Sequence, residues 1–238
     1  LTQPPAGSVE KTPAEHIFTV EGQAFILLDV LEGDHFYVLA KDDYGKQVFD
    51  PDNLQKFDPQ DPNNIAYWLN HTFLTEGNGG KRLPQSMLPY LDDTHVYRIE
   101  AGDPRGPCRF DYNVTCAVSL LSQTEYVKYA GKFGIKDGTN TDDWWLRTGR
   151  GINGSPDVLL SVSRQSDGTL GHTQNRPAKT ATFIRPTFCL RADFFREVKL
   201  EPESMGESVR KALADHVGAA ALSEIYSIAE LQEMGFDG

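Results

Sequence analysis

The stretch from Asp142 to Leu190 constrains the fold most, because it holds three short segments that are typical of β-strands. Each segment is rich in aromatic and β-branched residues and is bounded by Gly, Asn, Asp or Pro. Two polar, glycine-containing loops, residues 150–156 and 164–179, separate them. A small sheet that carries long polar loops is a scaffold suited to recognition. The three segments are residues 142–149, 157–163 and 182–190.

The composition disfavours two classes of partner. A net charge of -11 disfavours attraction to nucleic acid or to anionic lipid. The apolar runs are too short to span a bilayer, so no membrane insertion is predicted. With 238 residues, of which 39% are hydrophobic, the chain suits either one large domain or one domain with an appendage. Residues 1–13 are polar and contain proline, and we interpret them as a linker.

Outside the central stretch, the hydrophobic pattern predicts further short strands. Glu21-Gly22 is a two-residue turn signal between the first two of them. The run from Phe25 to Leu28 is apolar throughout, as expected of a strand that is covered on both faces. The expected strands are residues 16–20, 23–30, 36–40, 96–100 and 114–121.

Two helices are expected within the same domain. Residues 63–74 place apolar side chains on one face at helical spacing, and Asn63 or Asn64 is the predicted N-cap. The sequence from Ser122 to Glu125 is a capping box, which opens a second helix that is expected to end near Gly131.

The chain changes character after about residue 200. Two further capping-box patterns, Ser204–Glu207 and Ser227–Glu230, accompany an apolar stripe at helical spacing. We therefore interpret residues 201–238 as a helical appendage to a domain of residues 14–200. The appendage is expected to pack on that domain or on a neighbouring one. The stripe consists of Met205, Val209, Leu213 and Val217.

Residues 42–64 form an acidic segment that is interleaved with prolines. Clustered carboxylates suit calcium, but the EF-hand spacing with its central glycine and final glutamate is absent. The alternative, which we favour, is that the Asp and Asn side chains close local turns and cap helices.

The cysteines and histidines do not predict a reactive centre. Cys108, Cys116 and Cys189 lack the CxxC spacing of zinc sites. A Cys108–Cys116 disulfide and unpaired thiols are both compatible with the sequence, and Cys189 is expected to be buried. The histidines are scattered without metal-ligand spacing, and motifs for phosphate binding or hydrolysis are absent. No catalytic residue, metal or cofactor is therefore predicted.

The candidate binding residues lie in and around the central stretch. Trp144 and Trp145 point to opposite faces of one strand, so one is expected in the core. The other either packs under a loop, which we favour, or offers a stacking platform for a ligand. Arg147 and Arg185 either brace polar groups at the sheet end, which we favour, or bind a ligand carboxylate. The candidate ligand-binding residues are Trp145, Arg147, Arg150, Asn153, Asn175 and Arg185.

Four segments resemble, in order and rough spacing, the motifs of a bacterial domain family of unknown function. The family patterns are WLN..FL, hLLS..E, WWLRS and VRPAL. The departures are mild, with Thr148 in place of Ser, Ile184 in place of Val, and Thr187-Phe188 in place of Ala-Leu. The matching segments are Tyr67–Leu74, Val118–Tyr126, Trp144–Thr148 and Ile184–Phe188.

The resemblance implies a fold and a cellular setting. Such domains are typical of exported or surface proteins of bacteria and resemble the C-type-lectin-like fold, which formylglycine-generating enzymes also use. It therefore implies an α+β domain with a C-type-lectin-like mixed sheet, two helices and long loops, followed by the helical appendage. The family supplies no catalytic residues to carry over. The lectin triplets that bind calcium, Glu-Pro-Asn and Trp-Asn-Asp, are absent from this chain.

These observations favour a non-catalytic recognition module that is secreted or displayed on the cell surface. Its ligand is expected to be a glycan or a protein, bound through residues 148–156 and 164–179. One alternative is an enzyme related to the formylglycine-generating group, which requires a reactive thiol beside a cleft. Another is a structural module whose helical tail docks a neighbouring domain or a second copy.

Overall fold

The computed structural model describes residues 14–52, 56–101, 110–133, 143–149, 159–164 and 170–236. In this part of the chain, helices and strands are mixed and the strands form two sheets, as the predicted α+β class requires. The C-type-lectin-like arrangement within that class stays a prediction. No helix in these ranges is long and apolar enough to cross a membrane.

Short elements make up most of the described chain. The strands are β1 (Ile17–Val20), β2 (Gln23–Leu31), β3 (His35–Ala40), β4 (Lys46–Val48), β5 (Val96–Ala101), β6 (Phe110–Thr115), β7 (Val118–Ser119), β8 (Trp144–Gly149), β9 (Leu159–Arg164), β10 (Leu170–Arg176), β11 (Ala181–Phe183) and β12 (Thr187–Arg191). The helices are α1 (Ile65–Asn70), α2 (Thr72–Glu76), α3 (Gln123–Phe133), α4 (Asp193–Glu197), α5 (Glu207–His216), α6 (Ala219–Leu222) and α7 (Ile228–Glu233).

The first sheet, sheet A, has the strand order β1-β2-β3-β12-β7, and its neighbours pair antiparallel. Glu21 and Gly22 join β1 to β2 with φ angles of 48° and 76°. Positive φ at both central residues is what a type I′ hairpin turn requires, so the predicted turn is confirmed.

Sheet A is covered on both faces. Phe36 and Tyr37 are neighbours in β3 and therefore point to opposite sides. Phe36 packs against Phe195 of α4, with ring centroids 4.6 Å apart. On the other face Tyr37 meets Tyr129 of α3 at 6.1 Å. This double cover explains the apolar run from Phe25 to Leu28, every residue of which is buried.

The second sheet, sheet B, has the order β10-β9-β8-β11-β4, and β5 joins β8 at one end and carries β6. Phe183 of β11 pairs in parallel with Trp144 of β8. The segment of residues 182–190 therefore lies beside the tryptophan-pair segment only through β11. Its second part, β12, belongs to sheet A.

Two predicted strands are each divided between the two sheets. Residues 182–190 contribute β11 to sheet B and β12 to sheet A, and the chain crosses between the sheets at 184–186. Pro186 has no N–H to donate to a ladder, which suits a crossing point. Residues 114–121 likewise end β6 in sheet B and then supply β7 to sheet A. A periodic pattern reports burial and does not report which sheet a strand joins.

The predicted loop of residues 164–179 contains a strand, β10, which pairs with β9 from Leu170 to Arg176. The prediction of a loop was therefore wrong for these residues. It was made because their sequence is polar and lacks the apolar alternation of a half-buried strand. Within the described ranges β10 ends the strand order of sheet B, and an edge strand is held by backbone hydrogen bonds without needing an apolar face.

The predicted helix of residues 63–74 is divided at His71, whose φ and ψ are -124° and -80°. Asn64 is the N-cap, and its side chain accepts a hydrogen bond from the Ala66 N–H. Next to the break, the Asn70 amide donates to the Val118 carbonyl and accepts from the Val118 N–H, both at 2.8 Å. The side chain of Asn70 therefore ties the end of α1 to β7.

The capping box that opens α3 is confirmed. The Glu125 N–H donates to Ser122 Oγ at 3.1 Å, and the Ser122 N–H donates to Glu125 Oε2 at 2.8 Å. The helix continues two residues beyond the predicted end at Gly131 and stops at Phe133.

The C-terminal helices pack on sheet A. The four residues of the predicted stripe are buried, and Gly206 donates to the Ile17 carbonyl at 2.8 Å. A Cβ at Gly206 would lie 2.1 Å from the Ala14 carbonyl oxygen, so only glycine allows this approach. The capping box at Ser227 is confirmed, whereas α5 has Gly206 as N-cap without a side-chain cap, so the pattern at Ser204 was misleading.

We expect Leu213→Ala to lower the free energy of unfolding by about 2–5 kcal/mol, because Leu213 is 1% exposed between α5 and the sheet. Ile228→Ala is the matched control, since Ile228 lies in the same segment and is 75% exposed. Chemical denaturation of both variants measures the difference. Equal effects would contradict the packing of this segment on sheet A.

Candidate functional site

Trp145 lies in the interior, so this candidate does not present a stacking surface. Its side chain is fully buried, its ring meets Phe49 edge-on at 5.6 Å, and its indole N–H donates to the Gln47 carbonyl at 2.9 Å. Trp144 is equally buried, beneath Tyr126. Both tryptophans are therefore core residues, because β8 lies in the middle of sheet B and is covered on both faces.

Arg147 is also buried and serves as a brace. Its guanidinium binds Glu125 in a bidentate manner, with N–O distances of 2.6 and 2.7 Å. It also donates to the carbonyls of Leu120 and Arg98. Burial alone would raise the pKa of Glu125, but Arg147 outweighs it and holds that pKa below its usual value. The pair fastens α3 to sheet B.

Arg185 is the third buried candidate. Its guanidinium lies 4.7 Å from the Trp144 ring centroid, and its Nε donates to the Ala40 carbonyl at 3.1 Å. Arg185 therefore joins the crossing segment of residues 184–186 to the end of β3. The structural interpretation of Arg147 and Arg185, which the sequence favoured, agrees with their burial.

Of the other three candidates, Asn175 lies in sheet B. Arg150 and Asn153 fall outside the described residues, directly after the end of β8. Asn175 lies on β10 with its Cα opposite Leu160 of β9. We define the Gly149 end as the place where Ala101, Gly149, Leu159 and Arg176 meet, since these strand ends pair with one another.

The topology separates the two predicted binding loops. Gly149 and Leu159, which flank residues 150–158, are register partners at the Gly149 end. Arg164 and Leu170, which flank residues 165–169, are partners at the opposite end of the β9–β10 ladder. Residues 150–158 and 165–169 themselves fall outside the described residues, and residues 177–179 follow Arg176 at the Gly149 end.

The acidic segment uses its carboxylates for local turns. Asp43, Asp50, Asp58 and Asp61 each accept a hydrogen bond from the backbone N–H two residues further on, at 2.8 to 3.0 Å. This is the Asx-turn arrangement, so the favoured interpretation is confirmed for these four residues.

The thiols of Cys116 and Cys189 are free and buried. Burial raises the pKa of the Cys116 thiol to about 12 and raises the pKa of Cys189 well above its ordinary value. The thiolate is the nucleophile, so neither group is activated for catalysis at neutral pH. Cys108 lies outside the described residues.

A groove of about 500 Å³ runs between the α1–α2 break and the start of β5, and Cys116 lies on its wall. Two of the polar side chains in its lining are committed to the fold. Asn70 pairs with the backbone of Val118, and Arg191 donates to the carbonyls of Leu91 and Pro89. The groove is therefore built from bracing groups and does not suggest a reaction.

The structure brings together three residues that the sequence left apart: His35, Asp92 and His95. One side-chain ligand atom from each lies within 4.8 Å of the others. His35 begins β3, whereas Asp92 and His95 lie in the segment that enters β5. Antiparallel contact of this segment with β12, through the bridge of Leu91 to Leu190, places it beside the start of β3.

Asp92 is oriented by its surroundings. Its Oδ1 accepts from the Thr94 N–H at 2.9 Å and from Thr94 Oγ1 at 2.6 Å, while its Oδ2 lies 3.1 Å from His35 Nδ1. Burial pushes the pKa of Asp92 upward, but the bonds from Thr94 and the nearby histidines outweigh it, and the pKa lies below its usual value. Burial lowers the pKa of His95, which favours a neutral imidazole.

Sequence reasoning missed this cluster because His35 is remote in the chain from the other two. The Asp92-Asp93-Thr94-His95 spacing was a partial signal, since it places two ligand types in one turn. The third ligand comes from β3 through tertiary pairing, which a sequence pattern does not show.

Comparison of the chain with models of protein families, with curated proteins and with solved structures found no match.

We expect Glu125→Gln to lower the free energy of unfolding at pH 7 by about 3 kcal/mol, because it leaves the Arg147 charge buried without its partner. Since the folded-state pKa of Glu125 is lowered, the pair stabilises the protein above about pH 4.3, and this contribution disappears as the pH falls through the folded-state pKa. Chemical denaturation should therefore show that the unaltered chain and the Glu125→Gln variant differ less in free energy of unfolding at pH 3 than at pH 7. The control is Glu224→Gln, a change at an exposed residue. If Glu125→Gln lowered the free energy of unfolding equally at both pH values, this would contradict a stabilising ion pair between Glu125 and Arg147.

We expect Cys116 and Cys189 to resist labelling in the folded protein. In a Cys108→Ser chain at pH 8, a chromogenic disulfide reagent should react only after guanidinium is added, because both remaining thiols are buried. Fast labelling of the folded Cys108→Ser chain would show that one of these thiols is accessible. That result would support the enzyme alternative.

Proposed function

We propose that this domain is a non-catalytic recognition module, secreted or displayed at a cell surface, that binds a glycan or a protein at the Gly149 end of sheet B. The observation that carries the proposal is the convergence of Ala101, Gly149, Leu159 and Arg176. Four strand ends meet there, so this end of the sheet is formed by residues from four separate parts of the sequence.

The rigidity of the supporting strands favours this interpretation. Arg147 lies two residues before Gly149 and is held by Glu125, and Thr148 Oγ1 accepts a hydrogen bond from the Gln123 N–H at 2.9 Å. Residues on a fixed scaffold lose less conformational entropy on binding, which favours recognition by the loops that such a scaffold carries.

The burial of Cys116 and Cys189 argues against their use in the enzyme alternative, because a formylglycine-type reaction needs an accessible cysteine beside a cleft. The packing of the C-terminal helices on sheet A gives less support to the alternative of a docking tail. Cys116 and Cys189 are buried, and Gly206 at the start of α5 donates a hydrogen bond to Ile17 of β1.

The combined change Arg150→Ala, Asn153→Ala and Asn175→Ala should weaken binding to whichever glycan or protein the unaltered domain captures on arrays. A loss of at least about tenfold is expected, since a few polar contacts carry most of the energy of such sites. The control is the double change Ser166→Ala with Asp167→Ala, in the segment of the sequence between β9 and β10, which should leave binding intact.

Thermal unfolding of both variants checks that the fold is retained. Binding that survives the first change, or that is abolished by the control, would place recognition elsewhere. If the unaltered domain captures nothing on either array, the recognition proposal fails.

A further inference from the structure

The cluster of His35, Asp92 and His95 has the donor set of a transition-metal site. Two imidazoles and one carboxylate are characteristic ligands of zinc and of related divalent ions. Each side chain offers one ligand atom, and these atoms lie within 4.8 Å of one another. Around a tetrahedral zinc with bonds near 2.1 Å, ligand atoms are ~3.3 Å apart, so a modest inward movement of the side chains would complete the geometry.

The carboxylate is already oriented for such a role. The two hydrogen bonds from Thr94 occupy Asp92 Oδ1 and leave Oδ2 directed toward His35. The Asp92 N–H also donates to the Cys189 carbonyl of β12 at 2.9 Å, which fixes the backbone at this point. Hydrogen bonds that hold a ligating carboxylate in place are a regular feature of metal sites and raise their affinity.

The histidines differ in the way they are held. The His95 ring packs edge-on against Tyr97 at 4.6 Å and lies 6.1 Å from the Tyr37 ring. The side chain of His35 is 30% exposed, whereas that of Asp92 is 6% exposed. An ion therefore has an approach from solvent on the His35 side, and water can fill a fourth coordination position there.

We propose that His35, Asp92 and His95 form a binding site for one divalent transition-metal ion, with zinc as the ion that the donor set fits best. The site joins the start of β3 to the segment that enters β5. It lies at the other end of β5 from Ala101 and the Gly149 end, so it is independent of the proposed recognition surface.

The test is titration of the untagged, full chain with zinc chloride after removal of metals with a chelator. Calorimetry should show one zinc ion per chain with a dissociation constant below about 10 μM. His35→Gln and His95→Gln should each weaken binding by at least about tenfold, because each removes one of three ligands. Cobalt chloride should give visible absorption bands of low-coordinate cobalt in the unaltered chain and lose them in both variants.

The control is His216→Gln. His216 Nδ1 lies 2.9 Å from Asp34 Oδ1, and the His216 side chain is 36% exposed, close to the 30% of His35. This pair belongs to no three-residue cluster within the described ranges. Its zinc affinity should equal that of the unaltered chain. Thermal unfolding in the presence of chelator should give the same melting temperature for the control as for the two test variants, which separates loss of ligand from loss of fold.

The test uses the histidine variants and not Asp92→Asn, because Asp92→Asn would also disturb the turn at Thr94. Absence of stoichiometric zinc binding, or equal affinity in His35→Gln, His95→Gln and the unaltered chain, overturns the proposal and leaves the cluster as a hydrogen-bonded contact. Loss of zinc affinity in His216→Gln also overturns it.

Discussion

The bidentate contact between Arg147 and Glu125 joins more of this protein than any other single contact we describe. Glu125 completes the capping box of α3 through the Ser122 N–H, and the same carboxylate neutralises a guanidinium buried in β8. That guanidinium also donates to the carbonyls of Leu120 and Arg98, which belong to the chain after β7 and to β5. One ion pair therefore links a helix start, a sheet A connection and two strands of sheet B. Desolvation makes such a pair costly unless its hydrogen bonds are satisfied, and here the neighbouring backbone carbonyls satisfy several of them.

A second constraint follows from the chain passing between the sheets. The crossing at residues 184–186 is held by Arg185, which stacks on Trp144 of sheet B and donates to Ala40 at the end of β3 in sheet A. The Ala40 N–H donates in turn to the Pro186 carbonyl at 2.9 Å. Arginine suits this position because its planar group can stack and donate hydrogen bonds together. Trp144, Arg185 and Pro186 are therefore residues that join the two sheets, and Trp145 packs within sheet B and against Phe49.

The elements that the sequence predicted well are those set by local chemistry. The Glu21-Gly22 turn, the Asn64 N-cap and the capping boxes at Ser122 and Ser227 each depend on a few adjacent residues. The buried stripe of α5 depends on helical spacing alone. The elements that were missed depend on tertiary pairing: the assignment of β11 and β12 to different sheets, the polar edge strand β10, and the meeting of His35 with Asp92 and His95.

Of the six candidate binding residues, the three that belong to the tryptophan and Arg-Pro segments are buried: Trp145, Arg147 and Arg185. The sequence alone does not distinguish an aromatic or arginine residue in a core from one in a binding surface.

The middle of β5 and its two ends differ in how far their polar groups are enclosed. At its middle, the Arg98 carbonyl is used by Arg147, and the Tyr97 and Ile99 side chains are buried. The two ends differ from this closed centre. At Ala101 the strand reaches the Gly149 end, where several chain segments leave the sheet together. Just before Val96, the polar atoms of His35, Asp92 and His95 converge with partial access to solvent. Because the middle of β5 is buried, the recognition surface and the metal site that we propose at its two ends are separated by packed residues, and a change at one end is not expected to disturb the other.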